Sequence, residues 1–455
     1  MCVLFRELVV LVFSCVVCLG LSPRGTPRGL TEALTSRHAP SRFVKDFSKP
    51  SRVPEAGVEA AVGLMRSGRL GRYGASSAES SEVSRAEVEF AASVAGRSYA
   101  VGVNSCSSAL MLGLMAVGVK PGDRVLTNGL AHTSVPSSVM RLGAEPVLVD
   151  TRDWRMDLDD LEVKRSQFPD ARVLLLSHAM GQVCDLDRVK GVSDAHGLVV
   201  VEDCGDAAGA TWKGRPVGSL GDVAAFSVRS DRVLNGGEGG FAVTDDPEVA
   251  AKLVFLSGCS ERRYGKHASR PEDDDLLERA MVSMPNLGAR MSELNAAVLR
   301  PQIEDLRETV RRARRNHALV AETLGDLSDA VVLPAVDDRA APVGDRLAFS
   351  LKAPVDDAEN ALFRTTCVAL GVPVSWLRSP VNARYHANWR KYGAPAFDLP
   401  HTDALLQTAY DLRLPAYFDA DDFVHLATII AYAANFATGA DYDAEDAKGR
   451  QEDDD

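Results

Sequence analysis

The chain has 455 residues and a formal net charge of −12, which suits one large domain plus a smaller one, or two lobes of an α/β protein. The acidity argues against a nucleic-acid binder that works by phosphate neutralisation. The 8 cysteines are dispersed, with neither metal-ligand nor paired spacing, so the sequence does not read as a disulfide framework.

In chain order, LVVLVFSCVVCLGL from Leu8 is a short apolar run behind Arg6. It falls below the ~20 residues needed to cross a bilayer and matches the apolar core of a secretory signal. From Ser22 to Arg52 the chain is rich in Ser, Arg and Pro, with Glu32 and Asp46 as its only acids, a transit-peptide composition. Together the two segments fit entry into the secretory pathway and import into a plastid. A secreted protein, or a cytoplasmic one with a mis-assigned start, remains open. Residues 1–52 are set aside as a targeting segment, and no stable membrane span is expected in the mature chain.

Between residues 53 and 290 short β-branched runs (YAVGVNS, AEPVLVD, RVLLLSH, GLVVVED, DVAAFSV, GGFAVTDD) alternate with helical ones such as SSALMLGLMAV. Several are apolar nearly throughout, as in a sheet covered on both faces, so a large α/β domain with a mostly parallel sheet is expected. Residues 291–324 read as a long connecting helix that Pro301 should kink or divide, with the basic run RRARR at 311–315 as a solvated face. Residues 325–438 mix short strands and helices in a smaller α+β domain. Residues 439–455 end in QEDDD and read as an acidic disordered tail.

The ordered motifs SGRLGRYG at Ser67, YAVGVNSCSSAL at Tyr99, SHAMGQVCD at Ser177, VEDCGDAAGATWKGRPVGSLGDVAAFS at Val201, FSVRSDRVLNGGEGG at Phe226, ARMSELNAA at Ala289 and LRLPAY at Leu412 together resemble one family. They are similar to the DegT/DnrJ/StrS sugar aminotransferases, pyridoxal 5'-phosphate (PLP) enzymes of the aspartate-aminotransferase fold. The resemblance implies fold type I, a cofactor of PLP or pyridoxamine 5'-phosphate (PMP), a nucleotide-sugar substrate, an amino donor such as glutamate, and a homodimer. It connects the chain with amination of a nucleotide-linked keto-sugar in polysaccharide or glycan biosynthesis.

Each site position has a chemical reading. Ser105, Cys106 and Ser107 follow a strand and open a helix, where free backbone N–H groups suit a phosphate; as an isolated motif they could equally be a helix cap. Cys106 replaces the family's glycine. Asp203 matches the carboxylate that pairs with the pyridine nitrogen, or caps a strand end. His132 falls at the ring-stacking position and His178 at another family position near the site; either could be an ordinary histidine. Ser227 matches a phosphate-contacting serine. Asn286 lies where the family reaches across a dimer, but within PNLGARM where relatives have GYNYRM. Asp206 stands in place of Gln or His and adds a negative charge near the cofactor.

Arg232 falls directly on the lysine that holds the cofactor as a Schiff base and then shuttles the proton. A guanidinium stays protonated, with a pKa above ~12, so Arg232 can serve as neither Schiff-base former nor general base, and the cofactor is expected to be non-covalent. Lys213 belongs to a different motif and is a poor replacement. Three readings follow. The chain is a PMP-dependent, dehydratase-like enzyme with His132 or His178 as base; it is an inactive pseudoenzyme that binds cofactor or sugar nucleotide; or it is a dimeric scaffold.

Overall fold

The computed structural model describes residues 29–352 and 354–440. The signal-like run at 8–21 and the acidic tail from 441 lie outside the described residues. A seven-stranded sheet forms the larger lobe: β1 (Tyr99–Val103), β2 (Arg124–Asn128), β3 (Glu145–Val149), β4 (Val173–Ser177), β5 (Val199–Cys204), β6 (Val223–Ser227) and β7 (Gly240–Thr244), in the order β1-β7-β6-β5-β4-β2-β3. β7 runs antiparallel to both its neighbours, and the other pairings are parallel.

Alternate residues of these apolar strands supply two cores. Leu174, Leu176, Val200, Ala224 and Phe226 face one side, while Val173, Leu175, Val201, Val223 and Ala225 face the other against helix α1 (Cys106–Ala116). That two-residue period fixes the site. Continuing the second set puts Ser177, Asp203 and Ser227 on one face, at the C-terminal ends of three adjacent parallel strands, where open α/β sheets bind their ligands.

The expected long helix is two, α2 (Glu293–Glu304) and α3 (Leu306–Leu327). Pro301 is absorbed inside α2, where Gln302 Nε2 donates to Val298 O at 2.6 Å, and the break falls at Asp305. The smaller lobe is a four-stranded antiparallel sheet, β8 (Val331–Val332), β9 (Arg346–Leu351), β10 (Ser375–Trp376) and β11 (Ala409–Arg413), in the order β8-β9-β11-β10. Helix α4 (Ala420–Thr438) packs against α3.

Setting residues 1–52 apart from the fold is corrected from residue 29 onward. Leu30, Ala33 and Phe43 are buried, and Phe43 packs its ring at a tilt against Phe47 and Phe418 in the smaller lobe's core. Ala33 O accepts from Tyr432 Oη at 2.6 Å. A Ser/Arg/Pro-rich composition hid a few apolar anchors whose partners lie almost four hundred residues away.

Candidate active site

Ser105 caps α1, its hydroxyl accepting from Ser108 N at 3.1 Å. The N–H groups of Cys106 and Ser107 therefore remain at the positive end of the helix, free for an anion. The backbone of β7 crowds this turn: a Cβ on Gly240 would lie 2.7 Å from Cys106 N and 2.5 Å from Phe226 O, so no side chain can enter there. Ser105, Cys106, Ser107 and Ser227 line one side of a cavity of about 100 Å³, with His132, Asp203, Asp206, Arg229 and Arg232 around the rest.

Asp203 accepts from Ser177 Oγ at 2.7 Å and from Gly205 N at 3.1 Å. Burial raises its pKa against these bonds, and Asp206 adds to the rise, so a cation placed beside it would be strongly favoured. The Cys106 sulfur lies 3.8 Å from the same carboxylate, and burial, then Asp203, holds that thiol well above its ordinary pKa. It is a neutral group, not a nucleophile.

Arg232 turns into the cavity wall and ion-pairs with Asp206; the side chains are only 9% and 7% exposed. Burial alone would raise the pKa of Asp206, but Arg232, followed by Arg384 and Arg346, holds it well below the carboxylate range. The pair belongs to an alternating chain. Arg229 grips Asp231 at 2.6 and 2.8 Å; Asp231 lies 3.9 Å from Arg232; Asp206 meets Arg384 at 3.3 Å; Arg384 lies 3.8 Å from Asp411; and Arg346 closes on Asp411. The negative charge expected from Asp206 is thus neutralised by Arg232. Arg232 Nε and Nη1 and Asp206 Oδ1 are buried without a well-angled hydrogen bond, so the pair rests on charge attraction between its members.

His132 lines the cavity, with Nδ1 2.9 Å from Ser134 Oγ. Burial, then Arg384, depresses it to about 4, so it is neutral at neutral pH. His178 does not join the site, which corrects the expectation of a catalytic role. It follows β4 on the opposite side of the sheet, fully buried, with Nε2 3.1 Å from Glu202. Glu202 also accepts from Gly218, Leu220 and Gly221 N–H, so this histidine serves the core. Asn286 lies outside the cavity within the protomer, its amide donating to Cys259 O at 3.3 Å. Lys213 pairs with Asp187 at 2.8 Å and is half exposed.

Sequence reasoning missed Ser177, Arg229, Arg384, Asp411 and Arg346. Ser177 could have been found by counting β-strand parity back from Asp203; Arg384 and Arg346 carry no local signal, because only the chain's return to the larger lobe brings them to Asp206.

A cofactor of one substituted ring and one phosphate fits this arrangement. The α1 terminus and serine hydroxyls form a phosphate cup, Asp203 offers a buried acceptor to a ring nitrogen, and Gly205 and Gly240 keep the floor bare: a Cβ on Gly205 would stand 3.1 Å from Asp203 Oδ1. No lysine is among the residues lining the cavity.

Comparison with known proteins identifies the family and the fold. A model of the DegT/DnrJ/EryC1/StrS aminotransferase family matches residues 68–428. An L-glutamine:2-deoxy-scyllo-inosose aminotransferase of Streptoalloteichus tenebrarius is 33% identical over 341 residues, 74% of this chain and 78% of that protein. The spore coat polysaccharide biosynthesis protein SpsC of Bacillus subtilis is 30% identical over 369 residues, 78% and 90% of the two chains. Among solved structures, DesI in the presence of its TDP-sugar product superposes with a TM-score of 0.71 at 26% identity, covering 89% of this chain and 96% of that one. The chain adopts fold type I of the PLP-dependent transferases and belongs to the DegT/DnrJ/EryC1/StrS aminotransferase family.

Proposed function

We propose that this protein binds PLP or PMP reversibly and takes a nucleotide-linked keto-sugar as its substrate, without the lysine-dependent turnover usual in its family. The observation that carries this reading is that the phosphate cup and Asp203 persist while Arg232 sits locked to Asp206. When bound, the cofactor supplies an electron sink for moving an amino group. Ser105, Ser107 and Ser227 would hold its phosphate, and Asp203 its ring nitrogen. Arg232 supplies fixed positive charge and excludes water from the wall it shares with Asp206. It cannot take up or release a proton.

His132 is the neutral imidazole on the cavity wall, and so the group able to accept a proton there. With a pKa of about 4 it is a weak base at neutral pH, which favours slow chemistry over rapid transamination.

The partner we propose is a second copy of the chain. Met65, Leu70, Val282 and Leu287 are exposed apolar side chains that a dimer could cover, and Asn286 stands beside the last of them. The apolar run at 8–21 supports entry into the secretory pathway. No helix among the described residues is long and apolar enough to cross a membrane.

Titrating the purified protein with PLP and PMP, followed by dialysis, tests the reading. Saturable binding that dialysis reverses, with no borohydride-trapped label on the peptide containing residue 232, is expected. A trapped label on Lys213 or any other lysine, or binding of neither form, overturns it.

A further inference from the structure

A second cavity, of about 390 Å³, shares no lining residue with the first and falls within the size range of small-molecule sites. Arg314, His317 and Ala321 form one of its walls from a single face of α3, at the spacing of successive turns. Leu333, Pro334 and Val336 also line it, as does Met180, held at φ +55°. The lining is mainly apolar.

Arg314 is anomalous within it. Its Nε donates to Pro342 O at 2.7 Å, and Nη2 donates to Ala341 O at 2.8 Å and Gly209 O at 3.2 Å. Every bond goes to a neutral carbonyl, and no described carboxylate pairs with it, whereas the neighbouring cations are answered: Arg155 by Asp153 and Arg346 by Asp411. The carbonyls fix the guanidinium plane and leave Nη1 unused. Of the three acids lining the chamber, Asp337 is engaged by Arg339 at 2.8 Å, Glu322 is exposed at the rim, and Asp345 makes no ion pair with Arg314 and is pushed by burial toward its neutral form, to about 6. A half-buried, oriented guanidinium without a counter-ion, at the edge of an apolar chamber, is complementary to one anionic group on an apolar body.

We propose that this second cavity binds a small amphipathic anion, with Arg314 holding its carboxylate or phosphate and the 333–336 segment and Ala321 enclosing its apolar part. This site is independent of the cofactor reading.

The test uses the full chain and 8-anilino-1-naphthalenesulfonate, with its uncharged counterpart N-phenyl-1-naphthylamine as control. The sulfonate should bind at one saturable site with a fluorescence rise, and Arg314→Gln should weaken it about tenfold, the loss of one charge-assisted contact, while leaving the neutral probe unchanged. Ala321→Trp, which fills the chamber, should abolish binding of both, with circular dichroism confirming that each variant is folded. Decanoate and decyl phosphate, each below its micellar concentration, should compete, and the tighter of the two identifies the preferred headgroup. Equal affinity of Arg314→Gln and the parent protein for the sulfonate overturns the proposal. So does displacement of the sulfonate by saturating PLP, which would place the probe in the first cavity, or failure of both competitors.

Discussion

Neutralising Asp206 should destabilise the fold more than removing the charge of Arg232. Both side chains are more than nine-tenths buried, so the partner left behind cannot turn to water. Asp206→Asn takes away the anion that lies between two guanidiniums, leaving Arg232 with Asp231 at 3.9 Å and Arg384 with Asp411 at 3.8 Å. Loss of one member of a buried pair costs about 3–5 kcal/mol, and the full range applies here. Arg232→Met leaves Asp206 with Arg384 at 3.3 Å, so a loss of about 3 kcal/mol, the lower end of the same range, is expected. The double variant should recover about 2 kcal/mol relative to the sum of the single changes. Urea unfolding followed by tryptophan fluorescence measures all four proteins. Additivity within about 0.5 kcal/mol, or a larger loss for Arg232→Met than for Asp206→Asn, would refute the reasoning. The pH dependence has a definite sign. The pKa of Asp206 is depressed in the folded state, so its contribution is present above its unfolded value of ~3.9 and fades as pH falls from about 5 downward. Asp206→Asn should flatten stability across that acid window.

Three further outcomes are expected. Arg232→Lys restores a titratable amine at the family's lysine position, so borohydride should trap PLP on the residue 232 peptide; a folded variant that binds PLP but shows no trapping would mean that the side chain at 232 does not reach the cofactor. Asp203→Asn removes a buried charge-assisted partner worth about 1.5–3 kcal/mol and should weaken PLP about 10- to 100-fold, read by absorbance titration; unchanged affinity would remove Asp203 from the cofactor site. Burial raises Asp345 to about 6, so the folded state loses stability as pH rises from about 4 to about 6. Asp345→Asn should therefore gain about 1–2 kcal/mol, a figure reduced for partial solvent access, at pH 8 but not at pH 4 in urea unfolding; an equal gain at both pH values would contradict the assignment.

The larger lobe was legible because its signals are local. Strands such as VLLLS at Val173 are apolar on all but the last residue and buried throughout, and the serine that opens α1 both caps the helix and faces the cavity. Asp203 and Ser227 could be placed by motif because they stand on rigid strand ends. His178 was misplaced for a reason the backbone makes plain: one residue past Ser177 the chain points to the other face, and motif proximity cannot distinguish the two. The N-terminal segment was misjudged because composition averages over the few residues, Leu30, Ala33 and Phe43, that do the packing.

Arg232 and Asp206 read separately as two departures from the family pattern, one removing a base and the other adding an acid. Their contact makes them a single change. An arginine at 232 opposite a neutral Gln or His would face Arg384 with no anion between them, and an aspartate at 206 opposite a lysine committed to a Schiff base would bury an anion answered only by Arg384 on that side, close enough to Asp203 to raise it. Either state carries the cost of an uncompensated buried charge, several kcal/mol, whereas the two exchanges together leave the wall neutral and the phosphate cup untouched. The Gly-rich turn at 236–240 survives for an independent reason. Cβ atoms there would collide with Phe226 O, Cys106 N and Val228 whatever residue stands at 232, so this turn beside Cys106 is held by backbone packing, independently of the Arg232–Asp206 ion pair.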